Sequence, residues 1–281
     1  MEMNKNLCRR LGNLSLPVLL SVVLLASCRD EIETGAYTGP YIRFSVSEGS
    51  EWHSTRAAGG PAEKAVPRDS VQPLHGGDGN TPLYLHTLYT DSIASPSSDV
   101  CPDTAVLTRA TPVKDDNMYG SFGVSAYSYT GSWSESRTPD YFYNATASKS
   151  GSGDYALAST YYWPGASYKM KFFAYAPKDN GQYVLSGSTH PGSPTIGVTI
   201  PSDVNDQEDL LVAQTAELAG NTNTAVALTF NHALTAVRFV CGNDMQDGTV
   251  KSVSLKNVYS KGTYNMGTQT WSDVDTPADF S

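Results

Sequence analysis

Two kinds of apolar pattern run along this chain. Near the N-terminus the apolar residues are nearly contiguous, from about Leu14 to Ala26, broken only by Ser15, Pro17 and Ser21. Beyond residue 40 they alternate with polar residues or gather in short runs between Gly, Pro, Asn, Asp and Ser. Ile42, Phe44 and Val46 share one face at period two and predict a strand over Tyr41–Val46. A second strand is predicted over Leu83–Tyr89. The main strand-rich region follows, with strands or fragments at Phe122–Tyr129, Tyr141–Asn144, Ala156–Tyr161, Lys169–Tyr175, Gly197–Ile200, Leu210–Gln214, Val226–Phe230, Leu234–Val240, Val250–Val258 and Gly262–Met266. Between Glu48 and Pro82, and again from Asp91 to Asp103, the chain is rich in Gly, Pro and polar residues and reads as loop. Apart from a short helical turn expected at Asp203–Glu208, no helical period is sustained and no repeat of 20 to 50 residues emerges. Many short strands with regular turns predict an all-β sandwich.

The N-terminal run has a different meaning. At about 13 residues it falls short of the roughly 20 that span a bilayer, and Lys5, Arg9 and Arg10 precede it, so it reads as a secretory signal. It closes on Leu25-Ala26-Ser27-Cys28, the pattern of a bacterial lipobox, in which cleavage before Cys28 leaves that cysteine to carry acyl chains. The chain then divides into a signal peptide at 1–27, a tether at 28–40, a β-domain at 41–271 with a loop-rich insertion at about 48–108, and a polar tail or unfinished connection at 272–281. Arg29-Asp30-Glu31 resembles the export signal that carries lipoproteins of the Bacteroides phylum to the outer face of the outer membrane. A lipid-anchored, surface-exposed location is expected.

Composition narrows the function. The formal net charge is −9 and becomes more negative once the signal is removed, which disfavours nucleic acid as a partner. Only 17% of residues are charged and 17 are tyrosine, a balance that suits half-buried strands, where Tyr presents an apolar ring and a polar tip. With Cys8 in the signal and Cys28 lipidated, Cys101 and Cys241 remain, either as a disulfide, which an exported protein permits, or as two thiols. The histidines His53, His75, His86, His190 and His232 are scattered, and no zinc, nucleotide or nucleophile-elbow motif appears, so no cofactor, metal or catalytic residue is assigned. His232 is expected to be a hydrogen-bonded structural residue. The acidic run Asp203–Asp209 lacks the turn glycine and spacing of a calcium loop and reads as a solvated turn. Asp69-Ser70-Val71, Asp91-Ser92-Ile93 and Asp103-Thr104-Ala105 match the short O-glycosylation pattern of the Bacteroides group, making Ser70, Ser92 and Thr104 candidate sites.

Several phrases in order carry a family resemblance: Arg109-Ala110-Thr111-Pro112-Val113, Phe122-Gly123-Val124-Ser125-Ala126-Tyr127, Tyr162-Trp163-Pro164, Phe172-Phe173-Ala174-Tyr175-Ala176-Pro177, Asp206 to Ala213, and Phe230-Asn231-His232-Ala233-Leu234. The chain resembles the fimbrillin-like lipoproteins of Bacteroides-type bacteria. The resemblance implies a transthyretin-like Greek-key β-sandwich, no enzymatic activity, and a structural or adhesive role as a subunit of a surface fimbria or pilus, with other fimbrial subunits and the outer membrane as partners. It further implies processing by a trypsin-like protease after an arginine, here Arg109 or Arg56, removal of the Tyr41–Val46 strand, and filling of the vacated groove by a strand of the next subunit. Anchor subunits of such assemblies keep their lipid and are not cut. The alternative is a surface lipoprotein that binds host or bacterial glycans through aromatic residues in the Tyr127–Trp133 or Tyr161–Trp163 loops.

Overall fold

The computed structural model describes residues 40–49, 69–74, 83–88, 118–151, 153–178, 180–237, 239 and 251–281, all within the compact unit Pro40–Ser281. The described residues form an all-β protein. In chain order the strands are β1 (Arg43–Glu48), β2 (Asp69–Leu74), β3 (Leu83–Leu88), β4 (Ser121–Tyr129), β5 (Phe142–Lys149), β6 (Tyr155–Leu157) and β7 (Lys169–Ala176). They continue with β8 (Tyr183–Leu185), β9 (Thr195–Thr199), β10 (Leu211–Gln214), β11 (Leu218–Ala219), β12 (Val226–His232), β13 (Leu255–Asn265) and β14 (Thr270–Phe280).

The largest sheet runs β10-β12-β1-β6-β5-β4-β7-β11, and β7 also pairs with β10, so the first seven strands close on themselves like a barrel. Six of the seven junctions in this ring are antiparallel; at the remaining one β1 runs parallel to β12. A second sheet has the order β14-β13-β9-β8, and β2 and β3 form a two-stranded sheet of their own.

One cluster of buried side chains fills the ring, including Phe44, Phe122, Phe172, Leu211 and Phe230. A second cluster joins the outer side of β4, β7 and β10 to the smaller sheet through Tyr127, Phe173, Tyr175, Val212, Ile196, Val198 and Tyr264. Strand β7 serves both clusters, turning Phe172, Ala174 and Ala176 inward and Phe173 and Tyr175 outward. That is why its sequence from Phe172 to Ala176 is an unbroken apolar run, as in any strand covered on both faces. Tyrosine supplies much of the second cluster, and its hydroxyls tie strands to loops. Tyr127 donates to the Gly192 carbonyl at 2.9 Å, and Tyr129 donates to Glu217 at 2.9 Å. Burial pushes both phenols above the ordinary tyrosine range.

Several sequence expectations need correction. The segment 48–82, read as loop, contains β2, which pairs along its length with β3. Residues 272–281, expected as a polar tail, form most of β14, whose polarity reflects an edge strand that covers no core along much of its length. Of the strands predicted over Val250–Val258 and Gly262–Met266, Leu255–Val258 and Gly262–Asn265 belong to one strand, β13, bent by register shifts rather than broken by a loop, while residues 251–254 lie outside every strand. Residues 234–237, predicted as strand, lie outside every strand. At Asp203–Glu208 there is a hydrogen-bonded turn, Asp206 N to Asp203 O at 3.1 Å, and no helix.

Gly123 in β4 lies tightly beside its neighbours in the ring, Tyr175 of β7 and Asn144 of β5. A Cβ built there lies 2.6 Å from the Tyr175 ring and 2.7 Å from Asn144 Oδ1, which accepts the Tyr175 hydroxyl proton at 3.2 Å. Gly123→Ala is therefore expected to destabilise the domain by about 1–3 kcal/mol, measured by denaturant unfolding, whereas Gly151→Ala, where a Cβ meets nothing within 4 Å, is not.

Candidate functional site

The position in the ring occupied by β1 has features that set it apart from its neighbours. Its inward residues follow the predicted alternation, and the alternation continues one step further than the sequence suggested. Ile42 and Phe44 are fully buried, Val46 packs against the same cluster, and Glu48 is the next inward residue. Arg43, Ser45 and Ser47 face outward and are exposed. On one side β1 pairs in parallel with β12 from Phe44↔Val226 to Glu48↔Phe230. On the other it pairs antiparallel with β6 through Arg43↔Ala156 and Phe44↔Tyr155, and Tyr41 bridges to Tyr162. Backbone bonds extend the pairing at both ends, Ile42 N to Tyr161 O and Gly49 N to Phe230 O, each 2.7 Å.

Phe44 is the centre of this packing. Its ring meets Phe122 at 5.7 Å and Phe172 at 5.8 Å, both edge-on, while Phe122 in turn meets Phe230 at 5.2 Å. Edge-to-face contacts of this kind add to the apolar area that the rings bury. A charged contact closes the strand's far end. His232, the last residue of β12, is buried, with Nδ1 bonded to the Asp209 carboxylate and Nε2 3.0 Å from Glu48 Oε1. Burial alone lowers the basicity of an imidazole, but hydrogen bonds and charge from Asp209, then from Glu48, outweigh it and hold His232 above the usual histidine value of 6.5. As imidazolium, His232 donates from both nitrogens. At the opposite end the Arg43–Asp154 pair, 3.4 Å apart and exposed, contributes little by comparison.

The other sequence-predicted sites are distributed elsewhere. Cys28, Arg56, Ser92, Cys101, Thr104, Arg109 and Cys241 lie outside the described residues, as do the signal peptide and His53 and His75; Ser70 falls in β2. His86 is exposed in β3 and His190 stands in the loop before β9, both remote in sequence from the ring's acidic residues. Among the described residues no group of three or more His, Cys, Asp or Glu has the arrangement of a metal site. Trp163, a candidate for stacking on sugars, is buried against Phe172. Trp133 is half-buried, edge-on to Tyr127, capped by the Lys171 ammonium 4.7 Å from its ring, and its indole donates to Glu135 at 2.7 Å. The structural role expected of His232 is what the structure shows. Its partners Glu48 and Asp209 were not foreseen, although Glu48 continues the period of Ile42, Phe44 and Val46.

Residues 108–281 match the model of the fimbrillin-like family. The chain belongs to that family. It is 25% identical over 206 residues to the fimbrium subunit Fim1C of Phocaeicola vulgatus, a match covering 63% of this chain and 54% of the relative. A crystal structure of a fimbrial protein from Bacteroides vulgatus is 25% identical with a TM-score of 0.45, covering 57% of this chain and 56% of that one. The chain thus spans little more than half the length of each.

The raised basicity of His232 has a definite pH consequence. Its stabilising contribution is complete below the unfolded value near 6.5 and is lost as pH rises through the higher folded value. Denaturant midpoints are therefore expected to fall as pH rises above about 6.5 in the native chain, and His232→Gln is expected to flatten that fall. Phe44→Ala is expected to cost about 3–5 kcal/mol at any pH in this range, read from the same curves.

Proposed function

We propose that this fimbrillin-like chain is a non-enzymatic, structural subunit of a cell-surface fimbria, delivered as a lipoprotein and assembled by strand exchange at the β1 position. One observation supports this reading above the others. Strand β1 completes a ring to which the chain between Glu48 and Ser121 is its only sequence link, and both Arg56 and Arg109 lie in that link. Cleavage at either arginine leaves β1 attached to the ring by backbone bonds and side-chain packing alone. Its departure would bare the facing edges of β12 and β6, and unpaired strand edges bind extended segments readily. The fold reading that accompanies this role is a transthyretin-like Greek-key sandwich, supported by the packing of the ring on the smaller sheet.

Within the same proposal, removal of residues 1–27 leaves Cys28 to carry lipid and to hold the precursor at the outer membrane. If the leader is cut away, Cys28 leaves with it; in an anchor subunit that escapes cutting, Cys28 stays. Ser70, Ser92 and Thr104 are the proposed O-glycosylation sites, and Cys101 and Cys241 are either bridged or free.

Treatment of the purified chain with an arginine-specific protease tests the reading. The expected product is a ladder of oligomers on unheated gels that collapses on boiling and is prevented by combining Arg56→Ala with Arg109→Ala. Cleavage that yields only monomer, with β1 retained, would overturn assembly by strand exchange. Incorporation of labelled palmitate that persists in Cys28→Ala would overturn the lipid site.

A further inference from the structure

We infer that the β1 position is a sequence-reading groove, selecting from another subunit a strand with apolar, phenylalanine, apolar and carboxylate side chains at alternate positions, with His232 as the subsite that reads the carboxylate. The inference rests on the strand-exchange reading and gives that reading its specificity.

Four subsites lie along the groove in a fixed order. The first holds Ile42 beside the backbone bond to Tyr161 and is apolar. The second is the aromatic box of Phe122 and Phe172 around Phe44, where a smaller side chain leaves a cavity. The third takes Val46 on the flank of the same cluster. The fourth is unlike the others. His232 is 1% exposed there, anchored from behind by Asp209, with Nε2 directed at Glu48 Oε1. A strand that placed an apolar residue at this subsite would leave a buried imidazole nitrogen without its partner, which costs more than a neutral hydrogen bond gains. The three outward positions, occupied by Arg43, Ser45 and Ser47, face solvent and place little restriction on an incoming strand.

The order also has a direction. Because β12 is parallel and β6 antiparallel to β1, a reversed strand would exchange the two ladder types and carry its acid to the Ile42 end, away from His232. An incoming strand therefore runs as β1 does. The titratable groups around the fourth subsite are Glu48 on β1, Asp209 and Glu208 ahead of β10, Tyr119 ahead of β4, whose hydroxyl donates to the Asp209 carbonyl at 3.0 Å, and Tyr183 of β8, bonded to the Glu208 carbonyl. Burial, together with charge from Asp209 and Glu208, raises both phenols above the ordinary tyrosine range, while His232 is held above the usual histidine value by Asp209 and Glu48.

The test uses the full chain after arginine-specific cleavage and a fluorescent peptide of residues 41–49 as the incoming strand, followed by anisotropy. The natural peptide is expected to enter the ring. At about pH 6 the Glu48→Ala peptide is expected to bind roughly tenfold more weakly or worse, and the difference is expected to shrink as pH rises and His232 loses its proton. Equal binding of the two peptides at about pH 6, or a difference that does not shrink with pH, would overturn the carboxylate subsite while leaving strand exchange standing. Failure of the natural peptide to enter would overturn strand exchange itself, and the subsite with it.

Discussion

The seven-stranded ring closes only if some strand lies between β12 and β6, and β1 is that strand. Everything inside the ring depends on this closure. Without β1 the Phe44 side chain leaves the centre of an aromatic cluster, and Phe122, Phe172 and Phe230 line a void open to water. The facing edges of β12 and β6 would also lose their ladder partners, an expensive exposure of backbone groups that must find new ones. On the strand-exchange reading proposed above, a domain built this way is stable with the strand present and receptive to a replacement with it absent. That pair of properties is what the proposed exchange of strands between subunits requires.

The second layer packs on a part of the ring away from β1. Phe173 and Tyr175 on the outer face of β7 meet Ile196 and Val198 of the smaller sheet, on the side of the ring formed by β4, β7 and β10 rather than beside β1. Loss of β1 would therefore open the ring without stripping the interface between layers. The tyrosine-rich composition has its explanation here. Tyr127, Tyr129 and Tyr183 each bury a ring and use the hydroxyl to hold a loop or a side chain.

Much of this was legible in the chain because alternation and turn residues act locally. The inward set Ile42, Phe44 and Val46, the doubly buried run of β7, and the short strands β4, β10 and β12 all follow from the side-chain period and from flanking turns. What escaped notice depended on partners distant in sequence. Strand β2 looks like loop because its Pro73 and polar residues suit a strand only when β3 lies alongside. Strand β14 is polar because it is an edge, and no local signal separates an edge strand from a tail. The parallel pairing of β1 with β12 joins residues more than 180 positions apart, and nothing near either strand announces it.

Glu48 shows why that distance matters. Read alone, a glutamate between a serine and a glycine ends a strand, since burying a carboxylate is unfavourable. Opposite His232 it becomes the strand's last inward residue, because the imidazolium offers a proton and Asp209 holds the ring in place. Buried ion pairs contribute modestly to net stability, since the cost of dehydrating both charges offsets most of their attraction, yet a mispaired one is severely unfavourable. A strand displaced by two residues keeps its inward face inward but sets Ile42 or Val46 in the aromatic box in place of Phe44, where either leaves a cavity. The same displacement also sets Val46 or Ser50 against His232 in place of the carboxylate. The charged end of β1 therefore reinforces the register that Phe44 sets in the aromatic box, at the point where the strand joins the segment carrying Arg56 and Arg109.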